Sequence, residues 1–231
     1  MNGNKQIWEK EWSSQSMKTI PGHALNTPSD GIILFRGYLM ALGIEPPNKI
    51  VDIGSGKGRN AIYLAKEGFA VYGIDYINFA VEYAINRSKK EKVQNLTHFV
   101  VADLTESWNF EDNYFDIAID SLTTVGLEKK GREYCRDEMY RTLKPAGIAL
   151  IRVVSTDDEL EKELMEKYPG PELNSSIWPE TGKFQKNFTK KELLNFYKMF
   201  DILDFKKRTK RAIKIGKEFT ATNWWVILRK I

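Results

Sequence analysis

Val51-Asp52-Ile53-Gly54-Ser55-Gly56-Lys57-Gly58-Arg59-Asn60 runs from an apolar strand end, through glycines at every second position, into the start of a helix. Glycine is needed where a backbone turns sharply or where a ligand must come closer than a Cβ allows, and the helix that follows offers unpaired N–H groups at its start. The dinucleotide fingerprint is spaced G-x-G-x-x-G. Here Gly54, Gly56 and Gly58 give G-x-G-x-G, with Asp52 two positions upstream.

The next units narrow the reading. Ala70 to Ile74 reads as a strand ending on Asp75, 21 residues after Gly54. In a doubly wound sheet the carboxyl end of the second strand lies beside the glycine turn, where a carboxylate accepts hydrogen bonds from the two hydroxyls of a ribose. Enzymes that use NAD share that feature. The third strand, Leu96 to Ala102, ends in Asp103-Leu104, and the fourth, Tyr114 to Ile119, ends in Asp120-Ser121. Each strand thus delivers a polar group to one crevice, and an adenosyl cofactor fits that set.

These residues carry a resemblance. The chain is similar to class I S-adenosylmethionine-dependent methyltransferases in Val51 to Gly58, Gly73-Ile74-Asp75, Ala102-Asp103-Leu104 and Tyr114 to Asp120. Leu143-Lys144-Pro145-Ala146-Gly147 resembles the family's turn into the fifth strand, with Ala146 where a glycine is common. The matches span about half the chain and specify fold and cofactor, not the acceptor. Gly56-Lys57-Gly58-Arg59-Asn60-Ala61 followed by Gly68 looks most like the tellurite-resistance and thiopurine type of small-molecule methyltransferase. The resemblance implies an α/β, Rossmann-like, seven-stranded and mostly parallel sheet, with helices on both faces and an antiparallel last strand inserted between the fifth and sixth. It assigns Asp52, Gly54, Ser55, Gly56, Gly58, Asp75, Tyr76, Asp103 and Leu104 to the cofactor, S-adenosylmethionine. The acceptor is expected to be a small molecule.

Composition sets bounds. The 231 residues suit one domain with a full core; 42% are hydrophobic and 29% charged, which excludes a disordered chain. The net charge of +4 is modest. No cleavable signal pattern opens the chain and no apolar run approaches a membrane span, so the expected compartment is cytoplasmic. With Cys135 the single cysteine, and His23 and His98 the only histidines, neither an internal disulfide nor a cysteine/histidine zinc site is expected.

Organisation follows the periodicities. Residues 1–45 read as an N-terminal cap and helix, in which Gly31 to Leu42 presents Leu34, Tyr38, Ala41 and Leu42 to the sheet. Residues 46–154 form the cofactor-binding core, where alternating strands and helices require parallel strands. Residues 155–188 are a lid-like insertion. Thr156-Asp157-Asp158-Glu159 has capping-box form and opens a charged helix, after which Pro171 to Lys186 is irregular. Residues 189–231 hold a helix begun by the capping box Thr189 to Glu192, then strands over Ile202 to Lys206 and Asn223 to Leu228.

Several residues admit two readings. Asp120 is the candidate catalytic base, or binds the cofactor's methionine amine, or caps a turn; the absence of an Asn/Asp-Pro-Pro-Tyr/Phe segment argues against exocyclic nucleobase amines as acceptors. Trp8 and Trp12 either anchor a helix or cover the cofactor pocket. His23 is a loop histidine near the mouth, and His98 reads as structural. Cys135, Met139 and Leu143 recur at helical spacing, placing Cys135 in the core. Trp224 and Trp225 must face opposite sides of a strand. Lys206-Lys207-Arg208-Thr209-Lys210-Arg211, continuing to Lys214 and Lys217, is either a solvated hairpin or a contact for RNA. Two alternatives therefore stand beside small-molecule methylation: RNA or protein methylation through that basic segment, and a non-catalytic cofactor-binding subunit.

Overall fold

The carboxyl ends of five parallel strands, β1 (Lys49–Ile53), β2 (Ala70–Asp75), β3 (Thr97–Val101), β4 (Phe115–Ser121) and β5 (Leu143–Val154), meet along one edge of a seven-stranded sheet. The computed structural model describes residues 6–10, 26–214 and 217–231. Two further strands, β8 (Phe200–Lys214) and β9 (Lys217–Lys230), complete the sheet in the order β3-β2-β1-β4-β5-β9-β8, with β9 antiparallel to both neighbours. β1 and β4 are buried on both faces almost along their length, so their apolar residues (Ile50, Val51 and Ile53; Ile117, Ala118 and Ile119) do not alternate with exposed ones.

Helices α1 (Asp30–Ala41), α2 (Arg59–Lys66), α3 (Asn78–Lys90), α4 (Lys129–Thr142), α5 (Glu159–Lys167) and α6 (Lys190–Phe196) flank the sheet. One face packs Ile50, Val71, Ile117, Leu150 and Trp225 against Phe35 of α1 and Leu64 of α2; the other packs Val51, Ala118, Ile151 and Trp224 against Met139 of α4 and Leu193 of α6. Trp224 and Trp225 thus serve opposite faces, and Cys135 is buried in the second cluster, both as the sequence implies.

Four expectations need correction. Helix α1 buries Ile32, Phe35 and Leu39, whereas Leu34 and Leu42 are exposed: this helix is apolar nearly all round, so periodicity could not choose the face, and the larger Phe35 settles it. The cap of α5 is Asp158, not Thr156. Asp158 Oδ1 accepts from the Glu161 N–H (3.1 Å) and Oδ2 from the Thr222 N–H of β9 (2.7 Å), while the Thr156 N–H is committed to the carbonyl of Phe188 (3.1 Å). The segment expected to be irregular contains a small antiparallel pair, β6 (Ser175–Ile177) and β7 (Phe184–Lys186), held by the buried Glu161, whose carboxylate accepts from Ser176 Oγ (2.8 Å) and Asn187 Nδ2 (3.1 Å). The last two strands also run further than their apolar parts, because β8 and β9 pair through the basic stretch to Lys214 and Lys217. The capping box at Thr189 is present as read. No helix among the described residues is long and apolar enough to cross a membrane.

Ala146 sits at φ 62° at the start of β5, a conformation that costs a residue with a Cβ roughly 1–2 kcal/mol. Ala146→Gly is therefore expected to stabilise the fold by about 1 kcal/mol, net of the entropy glycine adds to the unfolded chain. A urea titration should show a higher midpoint at unchanged slope; an unchanged or lower midpoint contradicts the strain assignment.

Candidate functional site

The register places the polar strand ends side by side: Ile53 lies between Ile74 of β2 and Asp120 of β4, Asp75 pairs with Val101 of β3, and Asp120 pairs with Ile151 of β5. Beyond Ile53 the chain turns through Gly54, Gly56 and Gly58 at φ 68°, 52° and 73°, left-handed values that explain the glycines. A Cβ on Gly54 would fall 2.2 Å from Thr123 Cγ2, and one on Gly58 2.9 Å from the Ala84 Cβ and the Phe99 ring. The turn is therefore closed on itself by neighbours that only glycine admits.

Asp75 is the keystone of this turn. Its Oδ2 accepts from the Gly56 N–H (2.8 Å) and its Oδ1 from the Ile77 N–H (2.9 Å), so one carboxylate joins the glycine turn to the start of α3. The side chain is 7% exposed; burial raises its pKa, and the N–H groups of Ile77, Gly56 and Tyr76 oppose that shift. A carboxylate has about four lone-pair directions, so the bonds from Gly56, Ile77 and Tyr76 still leave acceptor capacity. Tyr76 is half-buried and packs with Trp8 against Ile77 and Ala80; burial, then Asp75, Asp103 and Glu9, raise its phenol.

Two buried polar atoms at the turn have no hydrogen-bond partner among the described residues: Asp52 Oδ2 and Ser55 Oγ. Asp52 is 2% exposed, and its pKa is pushed up to about 7 by burial, with Arg59 opposing and Asp75 and Asp120 adding to the shift. Asp120 is buried too. It accepts from the N–H groups of Thr123 (3.1 Å) and Thr124 (3.3 Å) and from Thr124 Oγ1, thereby capping the short 3-10 turn Thr124–Gly126. Burial lifts its pKa to about 6 against those hydrogen bonds. Asp103 is exposed, with Oδ1 accepting from the Thr105 N–H (2.9 Å) and Oγ1 (2.7 Å), and Leu104 buries its side chain in the core.

The mouth is bordered by two segments distant in sequence. Residues 6–10 are helical, and the Lys183 ammonium of the insertion lies 4.0 Å over the Trp8 ring. Trp12 and His23 lie outside the described residues. His98 stacks on Tyr72, with ring centroids 4.6 Å apart, at the exposed flank of β3. The basic stretch is locally partnered: Lys206 with Asp204 (2.7 Å), Lys207 with Asp157 (2.6 Å), Lys210 with Asp30 (3.3 Å), Arg211 with Glu218 (3.3 Å), and Arg208 over the Trp225 ring (4.7 Å). Among the described residues no three His, Cys, Asp or Glu side chains are grouped to hold a metal.

Sequence reading missed Thr123, which fills the space beside Gly54, and the roles of Arg59 and Arg152. Arg59 stands in the quoted stretch and could have been found there; Arg152 carries no motif and becomes notable only from its neighbours.

With this geometry in place, comparison with known proteins is informative. A family model described as a methyltransferase domain matches residues 44–200, and the chain belongs to that family. Phosphoethanolamine N-methyltransferase 3 of Arabidopsis thaliana is 31% identical over 126 residues, covering 52% of this chain and 24% of that protein, so only a part of the relative is shared. A solved S-adenosylmethionine-dependent methyltransferase from Methanosarcina mazei superposes with a TM-score of 0.71 at 25% identity over 84% of this chain and 97% of that one. TehB from Haemophilus influenzae shares the fold, with a TM-score of 0.63 at 21% identity over 85% of this chain and 62% of that one.

The folded protein holds the Asp52 proton up to about pH 7, whereas an unfolded aspartate, with a pKa of 3.8, releases it earlier. The folded state therefore binds more protons between those limits, and this group's contribution to stability falls as pH rises through the window. Asp52→Asn removes that penalty. The stability of the variant minus that of wild type, measured by denaturant titration, is expected to grow from pH 4 to pH 7; a difference independent of pH contradicts the assignment.

Proposed function

We propose that the protein transfers the methyl group of S-adenosylmethionine to a small-molecule N, O, S or metalloid acceptor. The observation that carries this reading is the buried Asp75 carboxylate, tied to the Gly56 N–H yet retaining acceptor capacity, beside a turn with orphaned polar atoms on Asp52 and Ser55. Asp75 would accept from the ribose hydroxyls. The free oxygen of Asp103 would take the adenine amino group, Tyr76 would wall the adenine, and Leu104 would contribute through its backbone. Gly54, Ser55, Gly56 and Gly58 would face the methionine end, with Asp120 supplying negative potential for a cationic donor and Asp52 a polar group beside it.

When bound, the cofactor supplies an activated methyl group on a sulfonium, so no metal or covalent enzyme intermediate is called for. The chain's task is to align the acceptor with the methyl carbon and to exclude water. Asp75 and the Gly54 to Gly58 turn would hold the cofactor in place while its methyl passes to the acceptor's lone pair, with the carbon–sulfur electrons left on sulfur. An acceptor that loses a proton would pass it toward Asp120, whose pKa near 6 leaves it ionised at neutral pH. Residues 6–10 and the insertion over 155–188 would wall the acceptor chamber as a lid.

Several plant relatives, such as the Arabidopsis protein above, are named for a phosphate-bearing amine, which makes phosphoethanolamine a first acceptor to try. The paired basic side chains of β8 favour a small acceptor over RNA or protein. We place the protein in the cytoplasm, where its one buried cysteine would stay reduced.

Incubation with S-adenosylmethionine and a panel of phosphorylated amines, thiols, carboxylic acids and RNA, read by mass spectrometry, is expected to yield a methylated small molecule. Intact cofactor binding without product from any class would favour a non-catalytic subunit. Asp75→Ala is expected to lower cofactor affinity by about 1.5–3 kcal/mol, one charge-assisted hydrogen-bond increment. Unchanged affinity in calorimetry contradicts the ribose assignment.

A further inference from the structure

Arg152 lies at the carboxyl end of β5, paired in register with Ser121 of β4 and with Trp225 of β9. Two residues before it, Leu150 packs on the face of α1 and α2, and the alternation of a strand puts Arg152 on that same face. Only its backbone is occupied: the carbonyl accepts from the Leu122 N–H (2.9 Å). The guanidinium is partly buried and makes no hydrogen bond or ion pair among the described residues.

The charges around it do not supply a counter-ion. Arg59 repels it, and Asp30, the acidic group that acts on it among the described residues, is paired with Lys210 at 3.3 Å. Burial, then Arg59, push the guanidinium down to about 10, with Asp30 opposing. Arg208 on β8 lies over the Trp225 ring at 4.7 Å, closing the same patch with a third arginine. A second polar group there is also unsatisfied. Ser29 Oγ is buried without a hydrogen-bond partner among the described residues, at the start of α1 where a Cβ on Gly31 would fall 2.8 Å from the Trp225 ring. Ser29 precedes α1, yet its side chain makes no capping bond, so its hydroxyl is not spent on the helix. The guanidinium is only partly withdrawn from water and so stays accessible to a ligand, and an arginine fork matches a carboxylate or phosphate with two parallel bonds.

Position decides which anion. Adjacent strands are about 4.8 Å apart, so β5 stands roughly 10 Å from the glycine turn of β1, on the side away from Asp75. On the cofactor placement proposed above, on which this inference rests, the ribose lies over β2 and the methionine end over β1. A group at β5 is therefore beyond the methyl carbon, in the acceptor's space. We propose that Arg152, with Ser29 as a second donor, binds an anionic group of the methyl acceptor, a phosphate or carboxylate, and so selects acidic small molecules as substrates.

The test is calorimetric titration of inorganic phosphate into wild-type protein and the variants Arg152→Gln, Arg152→Lys and Ser29→Ala, each with and without S-adenosylhomocysteine. Arg152→Gln removes an unpaired, partly buried cation and is expected to fold; a thermal melt checks it. Wild type is expected to bind phosphate saturably, Arg152→Gln roughly 10- to 100-fold more weakly, Ser29→Ala roughly 2- to 10-fold more weakly, and Arg152→Lys in between, with the affinity for S-adenosylhomocysteine unchanged. Equal phosphate affinity in wild type and Arg152→Gln, or no saturable phosphate binding to wild type, overturns the proposal. Loss of S-adenosylhomocysteine affinity in Arg152→Gln also overturns it, since the arginine would then hold the cofactor's own carboxylate. Failure of wild type to bind S-adenosylhomocysteine would instead defeat the cofactor reading, while the phosphate titration without it still decides Arg152.

Discussion

The hydrogen bonds from the Gly56 and Ile77 N–H groups to the two oxygens of Asp75 organise the crevice, because they couple the end of β2 to the turn after β1 and to the first residues of α3. Neither loop is held by apolar packing alone. A turn with three left-handed glycines carries a large entropic cost, and a buried carboxylate bonded to backbone N–H groups is a strong way to fix it. The same two bonds offset the cost of burying Asp75, so anchor and anchored group stabilise each other.

Around that anchor the protein concentrates negative charge. Asp52, Asp75 and Asp120 are all buried at neighbouring strand ends, and each has its pKa raised chiefly by desolvation. Asp75 and Asp120 both raise the pKa of Asp52, so ionising all three together is disfavoured and Asp52 keeps its proton up to about pH 7. One strand further on the sign reverses, with Arg152 and Arg208 beside Trp225 and Arg59 within electrostatic reach. A crevice negative over β1 and β4 and positive over β5 and β9 has a defined polarity along its length. On the placement proposed above, that polarity would order a cationic donor and an anionic acceptor along the crevice.

What the chain disclosed before folding divides along physical lines. The glycine turn, Asp75 and the succession of parallel strands were legible because each depends on residues close in sequence: φ at Gly54, Gly56 and Gly58, a strand that ends on an acid, and the period of α2. The face of α1 was not legible, since Ile32, Leu34, Phe35 and Leu42 offer two apolar stripes and only the sheet selects one. The start of α5 was misread because Thr156 and Asp158 both suit a cap, and the decision rests on the Thr222 N–H, 64 residues away from Asp158. Arg152 was invisible for the same reason, as its lack of a partner is a property of β4, β9 and α1 together. The basic stretch read as a solvated hairpin or an RNA contact; Glu218 of the hairpin's own second strand, and Asp30 and Asp157 from elsewhere in the chain, pair with it.

The central claim is that the anchored turn is a site for an adenosyl sulfonium and not for a dinucleotide. Parallel calorimetric titrations of the protein with S-adenosylmethionine, S-adenosylhomocysteine and NAD address it most directly. Saturable binding of the first two with none of NAD is the expected result. Binding of NAD alone, or of none of the three, would contradict the account.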